Sequence, residues 1–245
     1  MHDVILQVRG LEVYYGSRLA LGPVDFEIRQ GERVAVIGAN GAGKSTLLKA
    51  LFGEATFSRG MVRIFGEDVR LGSAQVLSSR GCFYAPFGAD AFPDLTVADN
   101  LRLFASRDGA QESGDISEAE RVEKLLGVLT VLRPRLHVRA GRLSGGERRL
   151  LSVARARLQT PSMLLWDEPF SGLSRALLPQ IQRLIAPAQE DAGMILAEQN
   201  IPLALEICTH ALVLRQGRTV FYGCVSELPQ DRHELFELLQ GRSTE

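Results

Sequence analysis

The chain is nearly without lysine. Of its 28 basic residues only Lys44, Lys49 and Lys124 are lysines; the other 25 are arginines. Cysteine is scarce as well: Cys82, Cys208 and Cys224 stand far apart and are odd in number. That spacing excludes a disulfide framework and a paired metal-ligand motif, and it fits a reducing compartment. An excess of either charge is also missing. With 29 acidic residues and a net charge of −1, there is no polybasic surface, so no nucleic-acid partner is expected. Long apolar runs are lacking, and none approaches the ~20 residues that span a bilayer. The start, Met1-His2-Asp3, carries an acid, and Val4-Ile5-Leu6 is cut short by Gln7 and Arg9, so no secretory leader is expected. Any membrane role is therefore expected to run through a partner. What remains is an ordinary globular composition, 245 residues and 45% hydrophobic, enough for one large domain or a domain with a sub-domain.

Against this background one lysine stands out. Residues 38–46 read Gly38-Ala39-Asn40-Gly41-Ala42-Gly43-Lys44-Ser45-Thr46, the phosphate-loop pattern G-x-x-x-x-G-K-[ST]. An apolar run, Val34 to Ile37, precedes it, and a helical stretch, Leu47 to Phe52, follows. Glycines let backbone N–H groups close around phosphate oxygens, and the helix start adds partial positive charge at the same spot. A compact ammonium fits inside such a loop where a planar guanidinium is too large, which explains a lysine in an arginine-rich chain. The Ser45 hydroxyl is suited to Mg²⁺. The bland alternative, a glycine-rich turn at a strand end, needs no lysine.

Around this loop the sequence alternates strands and helices. Strands are expected at 4–8, 11–14, 24–28, 33–37, 61–65 and 82–85, then at 163–167, 193–198, 211–215 and 218–222. Helices are expected at 145–158, 174–186 and 231–239. Residues 88–142 differ. Thr96 to Asp99 and Ser117 to Glu120 fit capping boxes, apolar residues recur with a helical period at Val122, Leu125, Leu126, Leu129 and Leu132, and Gly109 to Gly114 reads as a polar connection. This is a helical insert in an α/β core.

Met163-Leu164-Leu165-Trp166-Asp167-Glu168 is an apolar strand ending in two acids, as a Walker B element does. In α/β sheets ligands bind at the carboxyl ends of strands, where these acids emerge. Asp167 is suited to Mg²⁺; Glu168, one residue on, points elsewhere and is placed to take a proton from a water. An ordinary strand end capped by acids is the plain alternative.

Leu143-Ser144-Gly145-Gly146-Glu147 resembles the signature sequence of ATP-binding cassette (ABC) ATPases, although Ser144 and Glu147 also form a capping box that starts a helix. The resemblance runs from end to end. It is most similar to ATPase subunits of branched-chain amino acid importers and of the related urea and amide importers. The residues that carry it are Tyr14-Tyr15-Gly16, Ile37 to Lys44, Leu95 to Leu101, and Glu198-Gln199-Asn200. It implies an α/β P-loop NTPase core of the ABC ATPase type with an N-terminal antiparallel β subdomain. The core would comprise 1–87 and 143–228, the helical subdomain 88–142 and a C-terminal helix or tail 229–245. It implies ATP and Mg²⁺, with Tyr15 stacking on adenine (Tyr14 competes) and Lys44 and residues 38–46 on the phosphates. Ser45 and Asp167 would hold Mg²⁺, Glu168 would be the general base, and Gln199 would stand where most of the family has a histidine facing the γ-phosphate. Ser144, Gly145 and Gly146 would face ATP held by a second cassette.

Two positions depart from the family. Phe87 stands where a glutamine or glutamate would reach Mg²⁺ and the attacking water, and Ser174 replaces the aspartate of the "SGLD" segment. The resemblance implies a transport ATPase working with a second cassette, in a homo- or heterodimer, and with transmembrane permease subunits. It would be cytoplasmic and peripheral on the inner face of the membrane. A degenerate cassette that binds ATP and hydrolyses little, and a non-transport cassette of DNA repair or translation, are the competing readings.

Overall fold

A computed structural model describes residues 3–55, 59–70, 72–86, 91–105, 117–186, 189–229 and 231–241. Two compact units emerge: residues 1–84, 162–168 and 189–245, and residues 85–161 with 169–188.

The first unit holds two sheets. β1 (Val4–Tyr15) and β2 (Arg18–Arg29) form a long antiparallel pair. The sequence places a break at Arg9-Gly10. Instead β1 runs through it, because Gly10 adopts a φ of 55° and the register shifts between Val8 and Leu11. β2 likewise starts at Arg18, ahead of the expected 24–28. β3 (Arg33–Ile37) leads through the glycine loop into α1 (Lys44–Leu51), which buries Leu47, Leu48 and Leu51. β4 (Arg59–Ile64) pairs with β1 on the side away from β2, and β5 (Glu67–Asp68) completes a four-stranded antiparallel sheet of order β2-β1-β4-β5. A short helix that the sequence did not announce, α2 (Ala74–Ser79), buries only Leu77. β6 (Cys82–Ala85) matches its expected span.

The second unit is helical. α3 (Val97–Ala105) is anchored by Asn100, fully buried, whose amide bridges the backbone of Phe92 and Thr96. α4 (Glu118–Val128) begins with both hydrogen bonds of the Ser117–Glu120 capping box. It stops short of Leu129 and Leu132, which are buried in the turns that follow. α5 (Gly145–Leu158) carries Arg155, whose guanidinium lies 4.0 Å from the ring centre of Phe104 and 5.0 Å from that of Phe92.

β7 (Met163–Asp167) returns to the first unit. The helix expected at 174–186 is a 3₁₀ turn, Arg175–Leu177, followed by α6 (Leu178–Ile185), both in the helical unit. β8 (Gly193–Glu198), α7 (Ile201–Ile207), β9 (His210–Arg215), β10 (Arg218–Cys224) and α8 (Arg232–Gln240) follow in the first unit. The larger sheet has the order β10-β9-β3-β8-β7-β6. β9, β3, β8 and β7 are parallel and β10 is antiparallel to β9. Every residue of β7 and β8 is buried, as strands covered on both faces require. Among the described residues no helix is long and apolar enough to cross a membrane.

Candidate functional site: a phosphate loop facing two strand ends

Parallel pairing sets the site. β8 lies between β3 and β7, so the carboxyl ends of all three strands meet on one side of the sheet. The loop 38–43 leaves β3, Asp167 and Glu168 leave β7, and Glu198 and Gln199 leave β8.

The loop is held tight against its own unit. A Cβ on Gly38 would stand 2.3 Å from the Leu214 carbonyl oxygen, so no larger residue fits there. Gly43 caps α1 with a φ of 104°, a conformation L side chains rarely adopt. Lys44, only 5% exposed, turns back along the loop. Its Nζ donates to the carbonyl oxygens of Gly38 at 2.9 Å and Ala39 at 3.3 Å and lies 3.8 Å from Glu168 Oε1. Burial holds the Lys44 ammonium below its ordinary pKa; the attraction of Glu168, then Asp167 and Glu198, opposes that shift.

Opposite the loop, Asp167 is buried. The Ser45 hydroxyl donates to its Oδ1 at 3.0 Å and the Tyr84 hydroxyl to its Oδ2 at 3.4 Å. Burial, reinforced by the Asp167 charge, pushes the Tyr84 phenol far up, so it remains a donor. Glu168 adopts a positive φ of 48°, uncommon for a residue with a Cβ, and its N–H donates to the Ala197 carbonyl oxygen at 2.9 Å. That turn directs its side chain toward β8, where Gln199 Nε2 donates to Oε1 at 2.7 Å. Buried Glu198 fixes the Gln199 loop by accepting the Gln199 N–H at 3.0 Å.

The loop and Glu168 border a cavity of about 590 Å³ lined by Asn40, Gly41, Gly43, Lys44, Ser45, Thr46 and Glu168, together with Tyr15, Arg18, Leu19, Ala20 and Gln216. Tyr15 is 56% exposed at its wall. Tyr14 is not part of the lining; its hydroxyl donates to Glu12 Oε2 at 3.2 Å. Sequence reasoning missed Glu198, Tyr84 and Gln216; the acid ending β8 was the one available signal.

Ser144, Gly145 and Gly146 belong to the helical unit. Ser144 caps α5, its N–H donating to Glu147 Oε2 at 2.9 Å and its Oγ accepting the Glu147 N–H at 3.2 Å. That pairing with the Ser144 backbone, helped by Arg135 at 3.0 Å, holds the Glu147 carboxyl below its ordinary pKa. A Cβ on Gly145 would meet nothing within 4 Å among the described residues. Phe87 lies outside the described residues.

A family profile described as "ABC transporter" matches residues 21–171. The chain belongs to the ABC transporter family. It is 36% identical over 216 residues to the high-affinity branched-chain amino acid transport ATP-binding protein BraG of Pseudomonas aeruginosa, covering 86% of this chain and 89% of that one. It is 35% identical to the probable branched-chain amino acid transport ATP-binding protein LivF of Archaeoglobus fulgidus, covering 96% and 98%. A solved ATP-binding subunit of an ABC transporter superposes with a TM-score of 0.77 at 29% identity, covering 96% and 94%. The expected α/β P-loop ATPase fold is therefore the observed one, and this ABC cassette is an ATP-binding subunit whose chemistry is ATP hydrolysis coupled to transport.

Proposed function

We propose that the chain is the motor subunit of an importer for branched-chain amino acids or a related small polar solute. The supporting observation is that two relatives at 35–36% identity, each covering most of the chain, are both branched-chain amino acid transport ATP-binding proteins. In this reading Tyr15 stacks on adenine at the exposed end of the cavity. The N–H groups of the 38–46 loop and the Lys44 ammonium bind the phosphates. Glu168 accepts the proton of the attacking water, with Gln199 fixing the carboxylate through Oε1 and offering its amide to the γ-phosphate.

The donor set also suits Mg²⁺. Among the described residues no three His, Cys, Asp or Glu side chains converge to cage an ion, whereas Ser45 and Asp167 offer one hydroxyl and one carboxylate beside the phosphate loop. Mg²⁺ prefers such sparse oxygen ligation completed by substrate phosphates and water. When bound, the ion would neutralise phosphate charge. Two cassettes would close head-to-tail, with Ser144, Gly145 and Gly146 of one facing ATP in the other, and permease subunits would hold the pair at the cytoplasmic face of the membrane. No nucleic-acid partner is part of this reading.

Ser174 supports a second reading, a weakly hydrolysing member of an unequal pair. It is exposed, its side chain caps nothing, and it brings no carboxylate to the segment that would link two sites. Reconstitution in vesicles with permease subunits of a branched-chain amino acid importer tests the proposal. ATP-dependent uptake of leucine, isoleucine and valine is expected, and uptake of an unrelated solute in their place would sink the assignment.

A further inference from the structure

The far end of the larger sheet carries a second constellation of reactive side chains. His210 opens β9 and lies directly across the antiparallel ladder from Cys224, the last residue of β10. The Cys224 Sγ is 3.6 Å from His210 Nε2. On the other edge of the ring, Nδ1 is 3.1 Å from Thr209 Oγ1. The Thr209 hydroxyl lies 3.1 Å from the Arg33 carbonyl oxygen, to which it donates, and its oxygen accepts the Arg33 N–H at 3.1 Å. With that donation made, Thr209 offers the imidazole an acceptor. A proton on Nδ1 then fits this oxygen and leaves the Nε2 lone pair facing the thiol.

Glu227 and Tyr222 frame the pair. The Glu227 N–H donates to the Cys224 sulfur, while the Glu227 carboxylate accepts the Cys224 N–H at 3.0 Å. The Tyr222 ring stacks on the imidazole, with centres 6.4 Å apart. Cys224 is half-buried, whereas Cys82 and Cys208 are buried and their thiols are pushed up to about 12 by burial. A nucleophile, a base within hydrogen-bond reach and a third group that orients the base make up the arrangement that activates thiols.

We propose that Cys224 is a site of reversible S-thiolation by disulfides of low-molecular-weight thiols, with His210 as its base and Thr209 fixing the tautomer. The Cys224 thiol gives its proton to Nε2, and the thiolate attacks one sulfur of R–S–S–R. The Cys224–S–S–R bond forms as the S–S bond breaks, and the leaving thiolate takes the proton from the imidazolium and departs as R–SH. The disulfide is the oxidant, and no other co-reactant is needed. With Cys82 and Cys208 buried, no thiol of the chain is accessible to resolve the product, so the mixed disulfide lasts until an external thiol removes it. The phosphate-loop cavity, at the other end of β9, lies roughly 20 Å away at ~3.3 Å per residue, so the modification does not touch the ATP site.

The test treats the full-length protein with oxidised glutathione at neutral pH and follows adducts by intact mass and peptide mapping. One adduct is expected, at Cys224, removed by dithiothreitol. His210→Gln is expected to slow its formation about tenfold or more, because an amide accepts a hydrogen bond but cannot take the proton. ATP binding confirms that this variant is folded. If the variant does not fold, the wild type decides alone, since Cys224 should react faster in the folded protein than in the same chain unfolded in urea. The proposal is overturned if folding gives no such acceleration, if Cys82 or Cys208 is modified first, or if folded His210→Gln reacts at the wild-type rate.

Discussion

Glu168→Gln probes the proposed ATP site most sharply, because one carboxylate oxygen faces two partners. Glu168 Oε1 lies 3.8 Å from Lys44 Nζ and 2.7 Å from Gln199 Nε2. At an effective dielectric constant of about 20, the attraction between the Lys44 and Glu168 charges is roughly 4 kcal/mol. Incoming phosphates must compete for this ammonium while approaching the same carboxylate. Replacing the carboxylate with an amide of equal shape removes both obstacles. Water screens part of the gain, so the expected net effect is about 0.7–2 kcal/mol, roughly 3- to 30-fold tighter ATP binding. Hydrolysis should fall by about 10²-fold or more, because the amide cannot accept a proton. The pH response follows from the same pair. Burial already lowers the Lys44 pKa, and Glu168 is the largest attraction opposing that shift. Without it the pKa drops further, so as pH rises the variant loses its Lys44 charge, and with it ATP affinity, earlier than wild type. Calorimetric titration with Mg-ATP from neutral to alkaline pH, beside single-turnover hydrolysis, reads all three quantities. Unchanged or weaker affinity at neutral pH would refute the competition argument. Wild-type turnover would remove Glu168 from the base role.

Lys44→Ala is expected to weaken ATP binding by roughly 10- to 100-fold, the worth of charge-assisted hydrogen bonds at a buried ammonium; equal affinities in an equilibrium titration would refute the assignment of the loop. If the Phe87 ring packs against the membrane partner, its burial contributes roughly 1.5–3 kcal/mol, and Phe87→Gln is then expected to lower ATPase stimulation by that partner. A rise in stimulated turnover would show that this position acts as a polar ligand instead.

Local chemistry made much of the fold readable. The buried strands 33–37, 163–167 and 193–198 and the helix at 145–158 appear at their expected bounds, since each is an uninterrupted apolar run or a capped periodic one. The misses have physical causes. Gly10 reads as a breaker, yet β1 continues, because its positive φ lets the strand absorb a register shift against both neighbours and pair with them again beyond it. α2 and α7 are six and seven residues long, too short for a helical period to declare itself.

The site was legible one loop at a time. The phosphate loop and the two acids ending β7 are contiguous motifs, so their residues name themselves. Their meeting is not contiguous. It depends on β8 inserting between β3 and β7, an order no local pattern encodes. That insertion brings Gln199 to within 2.7 Å of Glu168, 31 positions away in the chain. It also explains why Glu168 tolerates a positive φ: the Ala197 carbonyl of the inserted strand accepts its N–H and fixes the turn, so the neighbouring strand helps offset the cost of the uncommon backbone. Gln199 and Glu168 thus form one positioned unit, built by the sheet order and braced from below by buried Glu198.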